Sequence, residues 1–233
     1  MDEVKRVSEL FQSNMLVTIA LEDSDKTFQV SKALLCHASR YFVGALQGGF
    51  KEASTATLTL PGCDIDTFEL FLHYLVNRDL PDSELVVGHA VAESDEQLAA
   101  IVAYQAKLVR LWIFADAIMM PRLQNCAAHD IVKMCRFIHP DSIETIFTAT
   151  REGSRLRLLA VRSFLYIREA NTCFGTRYFS KQDSNRLMGV PGFMGECFEE
   201  VGRSVCRSFF CSCATHCSLI DPAQRGDYLV NES

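Results

Sequence analysis

The sequence predicts an α+β domain in the first half of the chain and a mainly α-helical region after it. Residues 16–30 contain two β-type segments around a polar turn, and most apolar residues after residue 31 recur at helical spacing. The stretch LWIFADAIMMPRLQN places Pro121 between two helical patterns. Because proline removes a backbone donor and clashes with the preceding turn, we expect two helices that meet at a tight corner, with Pro121 in the first turn of the second.

Three short strands are expected near the N-terminus. The segment LVTIAL at residues 16–21 is rich in β-branched residues, and the polar turn EDSDK separates it from the alternating segment TFQV at residues 27–30. These two segments predict an antiparallel hairpin. The segment ATLTL at residues 56–60 alternates between polar and apolar side chains before Pro61 and Gly62, which predicts a third strand.

Helices are predicted between and after these strands. One helical period runs through residues 31–44, and another helix should begin at Asp64 or Asp66, since either carboxylate can cap it. Ser94 and Gln97 have the spacing of a capping box ahead of a long helix. That helix is apolar on more than one side, so we expect most of it to be buried.

Residues 3–12 form a short amphipathic segment. Its apolar side chains fall on one helical face: Val4, Val7, Leu10 and Phe11. A helix of this length is marginal in water, so its stability has to come from burying that face. The face packs either on the core of its own subunit or on a partner, and the residues alone leave both interpretations open.

Ten short motifs follow one another in order over about residues 14–130. They are Val17-Thr-Ile19, Phe28-x-Val-x-Lys-x-Leu-Leu35, Ser39-x-Tyr-Phe42, Ala45-Leu46, Phe50-Lys-Glu52, Leu58-x-Leu-Pro61, Phe68-Glu-Leu-Phe-Leu72, Tyr74-Leu75, Phe114-Ala-Asp116 and Pro121-x-Leu-Gln-Asn125. Their order and spacing resemble a fungal BTB/POZ domain. The resemblance implies a small β-sheet flanked by a cluster of α-helices and helical hairpins.

The resemblance also implies a domain organisation. We expect a BTB/POZ domain at residues 1–130 and a mainly helical C-terminal region with a Cys-rich tail at residues 131–233. The segment at residues 77–94 is polar and acidic, and the chain here is longer than the compact core of the family requires. We therefore expect a surface insertion there.

Proteins with this fold are interaction modules, so the resemblance implies a homodimer that acts as a scaffold or adaptor. The dimer interface would include the N-terminal face and the start of the first strand, namely Val4, Val7, Leu10, Phe11 and Leu16. Many relatives build a charged pocket near this interface with an Asp before the first strand and a His in the second. This chain has Leu16 and Ser31 at those positions, so we expect a neutral pocket.

Some relatives bind a cullin scaffold through a hydrophobic-x-acidic motif. Phe50-Lys51-Glu52 matches that motif, which makes Phe50 and Glu52 candidate cullin contacts and a ubiquitin-ligase adaptor the alternative function. The competing interpretation makes Phe50 a core residue and Glu52 a solvated charge, and this is the interpretation that we expect.

Arginines surround a predicted helix at residues 156–167. The set consists of Arg151, Arg155, Arg157, Arg162 and Arg168. Such a set marks either a phosphate or nucleic-acid surface or the solvated face of an amphipathic helix, and we expect the solvated face.

Cysteines crowd the sequence near the C-terminus. Cys197 precedes a cluster of five candidate metal ligands: Cys206, Cys211, Cys213, His216 and Cys217. Structural zinc sites usually have two closely spaced ligand pairs parted by a loop, and this spacing is absent. We therefore expect thiols without a metal, and a zinc-supported or nucleic-acid-binding transcriptional regulator is a further alternative.

Composition narrows the function further. A net charge of -6 argues against a nucleic-acid partner, which usually requires a basic surface. We expect no membrane segment, because no stretch approaches 18 consecutive apolar residues, and the charged N-terminus predicts a cytoplasmic or nuclear protein. The sequence lacks a nucleophile elbow, a phosphate loop and a His-Glu-x-x-His pair, so we expect no enzyme, no catalytic residue and no cofactor.

Overall fold

The structure is a computed structural model, and it describes residues 15–22, 24–82, 94–135, 138–174, 179–208 and 228–232, with backbone alone at 168–174 and 204–208. The chain divides into two compact units. The first contains residues 1–81 and 110–124, and the second contains residues 82–109 and 125–233. The predicted N-terminal helix and residues 83–93 of the acidic insertion lie outside the described residues.

The first half of the chain has the expected α+β character. Its elements are β1 (Leu16–Leu21), β2 (Ser24–Ser31), α1 (Lys32–Ala38), α2 (Arg40–Gln47), α3 (Lys51–Thr55), β3 (Thr57–Leu60) and α4 (Ile65–Asn77). The strands form one mixed sheet in the order β2-β1-β3, with β1 antiparallel to β2 and parallel to β3. The hairpin is confirmed, but β2 begins at Ser24 rather than Thr27, and the register shifts between Ala20 and Leu21.

Aromatic side chains fill the core of the first unit. Alternation along β1 buries Val17, Ile19 and Leu21. On α4 the period of 3.6 residues buries Phe68 and Phe71 on one face. The helix is capped by Asp64, whose carboxylate accepts a hydrogen bond from the Thr67 backbone at 2.7 Å. The predicted N-cap is thus confirmed at the first of the two candidate positions.

The prediction of a single helix at residues 31–44 is wrong, because Ser39 interrupts the helix. This residue is extended between α1 and α2, with φ −151° and ψ 143°. Its hydroxyl accepts a hydrogen bond from the Tyr41 backbone and donates one to the Ile118 carbonyl, 79 positions away. The apolar pattern of the sequence continues across Ser39 because each helix buries an apolar residue, Leu35 in α1 and Phe42 in α2.

The corner at Pro121 has the predicted form. Helix α5 (Asp95–Ala117) ends four residues before α6 (Pro121–Lys133), and Pro121 is the first residue of α6. Between them Met119 adopts a left-handed conformation with φ 53°, and the Met120 backbone donates to the Ala115 carbonyl at 2.8 Å. At the other end of α5, the Ser94 hydroxyl accepts from the Gln97 backbone at 3.2 Å, as a cap should.

The region after residue 138 is mainly helical, as expected. Its helices are α7 (Pro140–Ala149), α8 (Arg155–Phe174), α9 (Lys181–Met188) and α10 (Phe193–Ser208). Helix α8 packs on α7 and α10, and α9 also contacts both of these helices. The Phe193 ring lies edge-on to Phe147 at 5.2 Å and to Phe164 at 5.1 Å between centroids, so these rings form the core of this helical group.

Helix α5 bears on the expectation that the chain has no membrane segment. Within the described residues it is long and apolar enough to cross a bilayer by length and composition, with a mean hydropathy of 1.5 over 18 residues. Half of that window is buried inside the protein, and the core helices of globular domains pass the same test. The helix also carries a buried Gln105, whose amide donates to the Met134 carbonyl at 2.8 Å.

Candidate interaction surfaces

The start of β1 carries apolar side chains that the first unit leaves uncovered. Leu16 is 54% exposed, and Met15 beside it is equally open. The backbone at Met15 is hydrogen-bonded, since the Lys32 amide donates to the Met15 carbonyl at 2.9 Å. Leu16, the described member of the predicted dimer interface, is therefore available for contact, whereas Val4, Val7, Leu10 and Phe11 lie outside the described residues.

The two positions that depart from the BTB/POZ pattern face each other in the sheet. Leu16 of β1 pairs with Ser31 of β2 in the antiparallel register. The Ser31 hydroxyl accepts from the Leu34 backbone at 3.4 Å and so caps α1. An apolar side chain therefore stands opposite a capping hydroxyl at this end of the sheet, and the neutral pocket expected from the sequence stays a prediction.

The predicted core position of Phe50 is wrong. Phe50 is 65% exposed and precedes α3, whose first turn contains Glu52. Its ring lies against Gly48, where an added Cβ would approach within 3.1 Å of the ring and 2.5 Å of the Gly44 carbonyl. The Phe50 ring thus packs on the backbone of Gly48 at the surface. A side chain at position 48 would clash with this ring and with the Gly44 carbonyl.

Glu52 is likewise not the solvated charge that was expected. Glu52 is half-buried, and it lies close enough to Tyr41 to affect the pKa of that residue. Burial raises the pKa of Tyr41, and the charge of Glu52 raises it further. The surface at α3 therefore combines an exposed aromatic ring with a half-buried glutamate.

The arginines around α8 divide into two groups. Arg151 and Arg155 are exposed, as expected for a solvated face. Arg157 is buried, with 9% of its surface exposed, and Arg162 is half-buried, so the expectation is wrong for these two. The side chain of Arg168 lies outside the described residues.

Arg157 joins the end of α7 to α10. Its guanidinium donates to the carbonyls of Phe147 and Thr150, and it pairs with the Glu196 carboxylate at 3.1 Å. Its guanidinium carbon also lies 4.6 Å from the centroid of the Phe147 ring. A cation at the carboxyl end of α7 stabilises the helix dipole, so this arginine has a structural role instead of binding phosphate.

Carboxylates line a cavity of about 270 Å³ beside α8 and α10. Glu196 pairs with Arg157, Glu200 pairs with Arg162 at 2.5 Å, and Glu199 pairs with Arg203 at 3.3 Å. The pairs of Glu196 and Glu200 join α10 to arginines of α8, whereas the exposed Glu199–Arg203 pair lies within α10.

The cysteines that the structure describes behave as apolar residues. Cys36, Cys63, Cys126, Cys135 and Cys197 are thiols and not disulfides. Burial, together with the charge of Asp64, raises the pKa of Cys63 to about 12, which keeps that thiol protonated at neutral pH. The described part of the chain contains no group of three metal ligands. The side chains of the C-terminal cluster lie outside it, so the absence of a metal stays a prediction.

Sequence reasoning missed a contact at the C-terminal segment. The Val230 amide donates to Oδ1 of Asn125 at 2.7 Å, and Nδ2 of Asn125 donates to the Val230 carbonyl at 3.0 Å. Tyr228 is buried in the same unit, and the guanidinium carbon of Arg162 lies 5.4 Å from its ring centroid. No local pattern signals these contacts, because the partners are separated by 105 positions in the sequence.

Comparison with protein families identifies the N-terminal part of the chain. The model of the BTB/POZ domain matches residues 7–107. The match begins in the predicted N-terminal helix, includes the three-stranded sheet and ends within α5. This chain therefore contains a BTB/POZ domain, a member of a family of protein-interaction modules, and the helical C-terminal region follows it.

Proposed function

We propose that this protein is a homodimerising scaffold or adaptor that joins partner proteins through its BTB/POZ domain. The observation that supports dimerisation most directly is the exposed apolar pair Met15 and Leu16 at the entry to β1. Ser13 and Asn14 separate these residues from the amphipathic segment at residues 3–12, whose apolar face needs a surface to cover it. Each large apolar side chain that is fully buried contributes about 1.5–3 kcal/mol, so such an interface can offset the cost of association.

Replacing Leu10 and Phe11 with aspartate tests this proposal. The wild-type protein should be a dimer at micromolar concentration, and the double variant should be a monomer, because two apolar contacts are lost and two charges are desolvated at the interface. Sedimentation velocity measures the mass of each species, and circular dichroism should show nearly unchanged helix content.

The control for this experiment is Phe198→Asp, which changes an exposed aromatic residue of the second unit to the same acid. This variant should remain a dimer. A wild-type monomer would exclude the dimer itself, and a Leu10→Asp/Phe11→Asp variant that stays dimeric would exclude this interface.

A ubiquitin-ligase adaptor that binds a cullin is the second candidate. It is favoured by the exposed ring of Phe50, since the core interpretation of that residue was its main competitor. An exposed aromatic side chain beside a carboxylate is the type of surface that hydrophobic-x-acidic recognition requires, and aromatic residues often dominate the energy of such interfaces.

A cullin pull-down tests this candidate. Phe50→Ala and Glu52→Gln should each reduce retention of a cullin by about tenfold or more, which corresponds to about 1.4 kcal/mol per variant. Val76→Ala removes an equally exposed apolar side chain from α4 and should leave retention unchanged. The adaptor candidate is excluded when wild-type protein retains no cullin, or when all three variants retain it equally.

Localisation and domain boundary remain proposals. We propose a cytoplasmic or nuclear protein, because the cysteines whose side chains the structure describes are thiols, as in a reducing compartment. We also propose that residues 1–130 and residues 131–233 are the functional divisions of the chain.

A further inference from the structure

Residues 228–232 contact side chains of the second unit at several positions. Tyr228 is 2% exposed, whereas Leu229 is exposed. Val230 pairs with Asn125, and the Glu232 carboxylate accepts from Nδ2 of Asn125 at 2.9 Å. These contacts hold the segment against Asn125 and Arg162.

The Asn125 contact recognises peptide backbone. One side-chain amide donates to the Val230 carbonyl and accepts from the Val230 amide, so it pairs with both polar backbone groups of a single residue. This is the hydrogen-bond exchange that a neighbouring strand would make, and it does not depend on the side chain at position 230.

The Tyr228 contact adds selectivity for a side chain. Its ring is buried beneath the Arg162 guanidinium, which is oriented by the Glu200 carboxylate at 2.5 Å. A cation over an aromatic face, in a position fixed by its own ion pair, favours an aromatic residue over an aliphatic one of similar size. Backbone pairing for affinity and one pocket for selectivity are the two components of peptide recognition.

We propose that Asn125 and Arg162 mark a peptide-binding site which residues 228–232 of the chain occupy as an intramolecular ligand. The site binds a partner protein through a segment with the pattern Tyr-x-x-x-Glu, in which the backbone of the third residue pairs with Asn125. Residues 228–232 act as a tethered competitor, because a ligand joined to its own site has an effective concentration near the millimolar range. A partner binds when its local concentration exceeds that value or when the tethered segment is released.

The test uses the full chain with Tyr228→Ala and Val230→Pro, which remove the ring and the amide that hold the segment but leave Asn125 and Arg162 unchanged. The probe is a fluorescein-labelled peptide of residues 224–233, measured by fluorescence anisotropy. We expect saturable binding to this variant, at least tenfold tighter than to the wild-type chain. Adding Asn125→Ala should weaken it by about tenfold, and a peptide that carries alanine at the tyrosine position should not bind.

Two results would overturn the proposal. One is a lack of saturable binding to the variant when its helix signal equals that of the wild type. The other is binding that Asn125→Ala does not change. Should the variant lose helix content, hydrogen exchange on the wild-type chain replaces it: one millimolar peptide should accelerate exchange at the Val230 amide, and an unchanged rate counts against the site. Size-exclusion chromatography could also reveal a dimer in which wild-type chains exchange residues 228–232. Such a dimer would show that a second copy of this chain occupies the site, and it would overturn the proposal of a different partner protein.

Discussion

Replacing Arg157 with leucine should lower the free energy of unfolding of the second unit by about 3–5 kcal/mol. The substitution leaves the carbonyls of Phe147 and Thr150 without this donor and leaves the Glu196 carboxylate without its cation. Removing one partner of a buried ion pair has a cost in this range, and here two carbonyls at the end of α7 also lose their buried donor. Urea denaturation followed by circular dichroism measures the change.

Two further variants separate charge from geometry. Arg157→Lys keeps the charge but lacks the planar fork that reaches several acceptors, so it should lose an intermediate amount of stability. Arg151→Ala removes an exposed arginine near the start of the same helix and should change the free energy of unfolding by less than about 0.5 kcal/mol. Equal denaturation midpoints for Arg157→Leu and Arg151→Ala would show that Arg157 does not hold α7 and α10 together.

Replacing Phe71 with alanine should destabilise the first unit by about 3–5 kcal/mol, the usual cost of truncating a buried phenylalanine. Phe71 is fully buried, and its ring lies within 6 Å of three others: 5.9 Å from Phe42, 5.6 Å from Phe68 and 5.5 Å from Phe114. The substitution therefore loses apolar burial, leaves a cavity and removes three aromatic contacts at once.

Phe50→Ala is the matched control for Phe71→Ala. It removes the same side chain from an exposed position of the same unit, so the free energy of unfolding should change by less than about 0.5 kcal/mol. A thermal melt that shows equal losses for Phe50→Ala and Phe71→Ala would contradict the assignment of Phe71 to the core.

The Arg157 and Phe71 variants together also address the division of the chain. If the units unfold independently, each variant should lower only one of two transitions in a calorimetric scan. A single transition that both variants lower equally would show one cooperative body, since helix α5 contributes residues to both units.

The sequence by itself determined the features that depend on neighbouring residues. The β-branched residues of β1 predict a strand, and so does the alternation in β2 and β3, because side chains of a strand point to opposite faces. Pro121 predicts the corner because it cannot continue the preceding helix, and Asp64 predicts a helix start because its carboxylate accepts backbone donors that lack partners. The order and spacing of these elements then sufficed to indicate the BTB/POZ fold, which the family match confirms at residues 7–107.

Only the tertiary structure decided which side chains are covered and by what. Periodicity identifies an apolar face, but a folded surface is itself largely apolar, so it cannot tell the exposed Phe50 from the buried Phe71. The break at Ser39 and the burial of Arg157 likewise depend on distant acceptors: Ser39 donates to the Ile118 carbonyl, and Arg157 pairs with Glu196. A buried polar group is stable only when such an acceptor is present, and the partner is brought there by the fold rather than by sequence proximity.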